Sequence, residues 1–237
     1  MGWNGKNTTH AGIEERGFEL IVAGNAVPGV YWAPSNAPSE RLVLLGHGGT
    51  SHKKIEYIVA VANFLAAKGI ASLAIDAPGH GERAIEGAAN PDMDAFEQTW
   101  REGGGTETVL AEWKAALDFI EDEIGARPTG WWGLSMGTMM GLPVTATDER
   151  IRVAVLGLMG TRGPNGKDLE RFAPRVTCPV SFLVQWDDEL IPRQTCLDLF
   201  DALGSKKKTL HANPGRHQAV PQFELAASAD YLDRSLR

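Results

Sequence analysis

The sequence predicts an α/β protein, a three-layer sandwich in which helices cover both faces of a mostly parallel, eight-stranded sheet. Three observations predict it. Short apolar runs of buried-strand length alternate with longer segments whose apolar residues recur at helical spacing, the pattern of repeated βαβ units. Residues able to carry chemistry cluster just after several of those runs, where open parallel sheets place their ligands. Finally, 237 residues with 43% hydrophobic content suffice for one large core. No internal repeat or interdomain linker divides the chain, so residues 1–237 are expected to form a single domain.

The chain opens on a polar segment, Met1 to His10, that lacks the apolar stretch of a secretory signal and reads as a short flexible terminus. Lys6 stands where N-myristoylation would need Ser or Thr. Strand-like runs follow near 17–22 and 28–33, without a helical pattern between them. Further runs near 41–46, 70–76, 129–134, 151–158, 179–186 and 207–212 alternate with helical patterns at about 54–68, 106–124, 136–147, 193–203 and 219–236.

The fifth of these runs ends in Gly133-Leu134-Ser135-Met136-Gly137, a serine between two glycines at the passage from strand to helix. A strand that turns sharply into a helix strains the residue at its apex, and glycines two positions either side leave room for the crossing backbones. Gly137 and Gly141 lie four apart on one helical face, so the helix can press closely on the sheet. The pattern is that of a nucleophile elbow with its hydroxyl exposed.

A serine hydroxyl is a weak nucleophile at neutral pH, so the chain must also supply a base and a group to orient it. The run Val180 to Trp186 reads as a buried strand and leads into Asp187-Asp188-Glu189. The next run is followed by Asn213-Pro214-Gly215-Arg216-His217, which puts one histidine in the loop before the last helical pattern. The order is serine, acid, histidine, unlike the chymotrypsin or subtilisin orders. His211 is the rival base, but it falls within or at the end of a strand, and His10 and His52 have no supporting context. No pair of histidines has the H-E-x-x-H spacing, so neither a metal nor another cofactor is expected.

On these residues the chain resembles the α/β-hydrolase superfamily, and within it the dienelactone hydrolases and small carboxylesterases. Leu44-Leu45-Gly46-His47-Gly48-Gly49-Thr50 is similar to the family's oxyanion turn, and Ala74 to Gly81 to the loop after its fourth strand. The resemblance implies that the backbone N–H groups of Gly49 and Met136 form the oxyanion hole, with His47 and His80 structural or pocket-lining. It also implies Asp188 as the triad acid, three residues before the apolar Ile191, with Asp187 as the alternative. Gln185-Trp186 departs from the glycine that commonly opens this turn.

The implied activity is that of a serine carboxylesterase, cleaving small ester substrates through Ser135, His217 and Asp188. Thioesterase, peptidase and lactonase chemistry use the same triad, and a non-turnover small-molecule receptor can be built on the same fold. Only about twenty residues, Met159 to Thr177, separate two strand-like runs where larger relatives insert a lid, so little or no lid is expected. The irregular stretch 83–105 is expected to flank the pocket, with Phe96 and Trp100 facing the substrate. Thr50 and Met159 complete the expected lining.

Composition narrows the partners. A net charge of −7 disfavours nucleic acid, and no apolar run is long enough to span a membrane. Cys178 and Cys196, two cysteines without metal or redox spacing, fit reduced thiols in a cytoplasmic protein. The oligomeric state is left open, a homodimer included.

Overall fold

A computed structural model describes residues 2–84 and 93–237 of the chain. Its first three strands, β1 (Gly2–His10), β2 (Ile13–Val22) and β3 (Asn25–Pro34), form an antiparallel meander. Two-residue turns at Ala11-Gly12 and Ala23-Gly24 join them, all four residues having positive φ, which matches the right-handed twist of the strands.

The first strand corrects the expectation of a flexible terminus and raises the sheet from eight strands to nine. One residue explains much of it. Trp3 packs edge-on against Phe18 and Tyr31, lies 5.1 Å from the ring of Phe119, and donates its indole N–H to Glu123. The remaining side chains described in β1 are mostly exposed, so the sequence shows little alternation to betray a strand.

The other strands are β4 (Leu42–Gly46), β5 (Ala71–Ile75), β6 (Thr129–Gly133), β7 (Ile151–Gly157), β8 (Val180–Gln185) and β9 (Lys208–Asn213). They complete one sheet in the order β1-β2-β3-β5-β4-β6-β7-β8-β9, parallel from β5 to β9. Among the described residues, seven α-helices accompany them: α1 (Glu56–Ala66), α2 (Met93–Glu102), α3 (Gly105–Ile124), α4 (Met136–Thr147), α5 (Gly166–Phe172), α6 (Arg193–Ala202) and α7 (Gln222–Ser235).

Buried residues of α1 and α7 form a core on one face of the sheet, and those of α2 to α6 on the other. Adjacent tryptophans show the alternation of a strand. Trp131 faces the α3–α4 side, 4.7 Å from Trp113, whereas Trp132 faces the α7 side and donates to Ser228. Cys196 is buried and Cys178 half-buried, both unpaired, and burial pushes their thiols up to about 12 and about 11.

Helix α4 is almost wholly buried although Pro143 lies inside it. Proline has no N–H to give to Met139 O, and that carbonyl instead accepts from the buried Asn165 side chain at 2.9 Å. The segment between β7 and β8, which includes α5, is thereby tied to α4. Strand order reverses at β4, flanked by β5 and β6, and Gly46 of β4 pairs in register with Gly133 of β6. The loops leaving these two strands therefore start side by side, at the switch point where such sheets bind ligands.

Candidate active site

Ser135 sits between the end of β6 and the first turn of α4, with φ 57° and ψ −121°. A side chain in that region costs of order 1–3 kcal/mol, so its surroundings must hold it there. Ser135 N–H donates to Gly157 O, and the Thr138 hydroxyl bridges the carbonyls of Gly133 and Gly157. The flanking glycines are required by close approach. A Cβ on Gly137 would lie 2.4 Å from Gly46 O, and one on Gly133 would lie 2.7 Å from Gly137 O.

His217 Nε2 is 2.9 Å from Ser135 Oγ, and its Nδ1 is 2.7 Å from Asp188 Oδ2. Since the ionised carboxylate only accepts, Nδ1 carries the hydrogen, which leaves Nε2 as acceptor for the serine O–H. The Asp188 side chain is 1% exposed. Burial would raise its pKa, but the bond to His217 and those from Ile191 and Leu190 N–H hold it below the usual carboxylate value.

Asp187 lies beside this chain of bonds and outside it. Its carboxylate accepts from Gly215 N–H at 3.2 Å, and its own N–H donates to Gly215 O. Glu189 accepts the backbone N–H of His217 at 2.9 Å. Gln185, buried at the end of β8, donates to Arg216 O at 3.2 Å. Residues 185–189 thus grip residues 213–217 at several points. His211 lies apart from Ser135 in β9, paired with Glu224 at 3.2 Å.

The turn after β4 brings Gly48, Gly49 and Thr50 against the elbow, with Thr50 at φ 55°. His47 is fully buried, and burial lowers its pKa to about 4, so it is neutral. Its Nε2 accepts from Ala77 N–H at 3.1 Å, which leaves Nδ1–H to donate to Gly48 O at 2.8 Å. In a trans peptide the C=O and the next N–H point opposite ways, so this bond fixes where Gly49 N–H points. From the other side, Gly48 N–H donates to the Tyr57 hydroxyl at 2.6 Å. Among the described residues, neither Gly49 N–H nor Met136 N–H donates to a protein acceptor.

A cavity of about 420 Å³ opens beside Ser135 and His217. Its apolar wall is made by Ile55, Trp132, Leu134, Leu158, Val220 and Leu225, and Tyr57 adds a hydroxyl. No Lys, Arg, Asp or Glu lines it among the described residues. A larger open groove over Glu14, Arg16 and Arg127 includes neither Ser135 nor His217. Of the residues expected to line the pocket, Thr50 does so. Phe96 lies behind the turn, where its ring would meet a Cβ on Gly49 at 3.2 Å, and Trp100 lies near Gly105. With Met159, these two belong to the core on the opposite face of the sheet from the cavity's apolar wall. The rest of the flanking stretch, 85–92, lies outside the described residues.

Sequence reasoning did not single out Tyr57, Thr138 or Glu189 for their contacts here. Tyr57 belongs to a helical pattern and Thr138 to a buried helix, and no local motif marks either. No cluster of metal-ligating side chains occurs among the described residues, and no described helix is long and apolar enough to cross a membrane.

Comparison with known proteins identifies the family. A model described as the alpha/beta hydrolase family matches residues 42–235. A PEG-bound cold-adapted esterase from an Arctic intertidal metagenomic library is 61% identical over the whole of both chains, with a TM-score of 0.94. A native structure described in the same words matches at 57% identity, again over both whole chains, with a TM-score of 0.89. Dienelactone hydrolase from Anabaena variabilis shares the fold at 20% identity and a TM-score of 0.69, over 95% of this chain and 100% of its own. No curated protein sequence matches significantly.

Proposed function

The chain belongs to the α/β-hydrolase family, and we propose that it is a serine carboxylesterase acting on small, uncharged esters through an acyl-enzyme. The observation that carries the mechanism is the unbroken chain of bonds from Asp188 through His217 to Ser135 Oγ. The full-length similarity to an esterase supports the reaction class.

In this mechanism His217 Nε2 takes the Ser135 proton as Oγ attacks the ester carbonyl, and Asp188 stabilises the imidazolium that forms. Gly49 and Met136 N–H donate to the oxyanion, and each such donor is worth about 3 kcal/mol of barrier. His217 then protonates the leaving alcohol. In the second half-reaction it deprotonates the water that attacks the acyl group, and Ser135 is regenerated. The substrate enters an apolar cavity lined, among the described residues, by no Lys or Arg, which complements a neutral acyl or alcohol group and not a lactone bearing a carboxylate. We further propose that residues 1–237 act as one domain.

Hydrolysis of p-nitrophenyl acetate, butyrate and hemisuccinate by the protein and by Ser135→Ala tests the proposal. Each methylene buried against the cavity wall contributes up to about 0.8 kcal/mol, so butyrate, with two more than acetate, is expected to exceed it in kcat/KM by up to about fifteenfold. The anionic hemisuccinate is expected to be the poorest of the three. Activity should rise with pH through a histidine ionisation and vanish in Ser135→Ala. A profile flat from about pH 5 to 9, or a serine variant as active as the parent, rules the mechanism out.

A further inference from the structure

Three consecutive carboxylates after β8 each hold a different group of the histidine loop. Asp187 takes Gly215 N–H, Asp188 takes the imidazole, and Glu189 takes the backbone N–H of His217. The proposed mechanism uses only the second. We infer that Glu189 is a positioning residue for His217, holding its main chain so that Nε2 stays within reach of Ser135 Oγ. The inference rests on the reading of His217 as the base.

His217 lies in the middle of the loop between β9 and α7, which contains Gly215 at φ 110°, so its main chain needs anchoring if Nε2 is to stay 2.9 Å from Ser135 Oγ. The 2.9 Å bond to Glu189 anchors the residue at its own amide, one step from the Cα that carries the ring.

Arg216, mostly exposed, meets the other oxygen of Glu189 at 3.3 Å and helps to keep the carboxylate at the His217 amide.

Substitution tests the anchoring. Glu189→Gln keeps an oxygen acceptor for the His217 N–H, whereas Glu189→Ala removes it. The experiment is the rate at which a p-nitrophenyl alkylphosphonate releases p-nitrophenolate from the full chain and from both variants, with steady-state kinetics on a p-nitrophenyl ester beside it. Glu189→Gln is expected to keep most of the parent's rate, and in Glu189→Ala labelling and kcat are expected to drop severalfold below those of Glu189→Gln, with KM little changed. Equal rates in the two variants overturn the inference and leave the triad standing. If the protein and Ser135→Ala are equally inactive on esters, the esterase reading fails, and the labelling rate, which needs no turnover, still decides the contribution of Glu189.

Discussion

Asp187 and Asp188 differ by one position, and at the scale of the residue that one position decides what each can do. Asp188 points at His217 Nδ1 and collects two backbone N–H groups on its other oxygen, whereas Asp187 braces Gly215. Asp188→Asn leaves the shape but favours the wrong imidazole tautomer, and a loss of about 10⁴ in kcat is expected. Asp187→Asn keeps an acceptor for Gly215 and should retain activity within about tenfold. Steady-state kinetics on one p-nitrophenyl ester distinguish them, and the reverse ranking would transfer the role to Asp187.

His47 supports a prediction of another kind. Burial lowers its pKa to about 4, against 6.5 in the unfolded chain, so between these values the unfolded chain binds the extra proton. Stability is unaffected above pH 6.5 and falls as pH drops from 6.5 to 4, by roughly 3 kcal/mol at the lower end. The pKa of His80 is also lowered, chiefly by burial, and acts in the same direction. Urea midpoints measured across this window should decline, and His47→Asn should flatten the decline. An equal slope in the variant would show that the loss comes from elsewhere.

At the scale of the element, α4 shows how the sequence builds the elbow and then meets the cost of doing so. Gly137 is small because Gly46 O comes within 2.4 Å of where its Cβ would lie, and Gly141 is small because the Trp131 ring covers it. Pro143 then breaks the helical ladder, and Asn165 takes the freed Met139 carbonyl from a segment more than twenty residues away in sequence. Asn165→Ala leaves that carbonyl buried without a donor and is expected to destabilise the fold by about 1–3 kcal/mol in urea denaturation. An effect under about 0.5 kcal/mol would mean that the helix does not depend on this bond.

The strands from β4 to β9 and helices α3, α4 and α6 were legible in the sequence to within a residue, whereas β2 and β3 begin before the expected 17 and 28 and α7 after the expected 219. β1, α2 and α5 were not legible. β1 is a largely exposed edge held by Trp3, and the seven-residue α5 is too short to show a period.

For the whole molecule, the arrangement of the site depends on where separate strands end. Ser135, Asp188 and His217 stood out because each follows an apolar run, and a parallel sheet carries the ends of such runs to one side. Tyr57 and Glu189 could not be read this way, since their contacts with Gly48 and His217 depend on how two loops fold over one another. Phe96 and Trp100 were expected beside the pocket because the irregular stretch 83–105 was expected to flank it, and Met159 was expected to complete the lining. The sheet puts them with α3 and α4, while the cavity wall belongs to the side of α1 and α7.

The central claim is that Ser135 is a nucleophile made reactive by His217. Reaction with a p-nitrophenyl alkylphosphonate, with peptide mass spectrometry to locate the adduct, tests it most directly. The account predicts one equivalent of p-nitrophenolate released per chain, the phosphonyl group on Ser135, and labelling slowed at least a hundredfold in His217→Ala. An adduct on another residue, or ester turnover that continues after Ser135 is fully blocked, would contradict it.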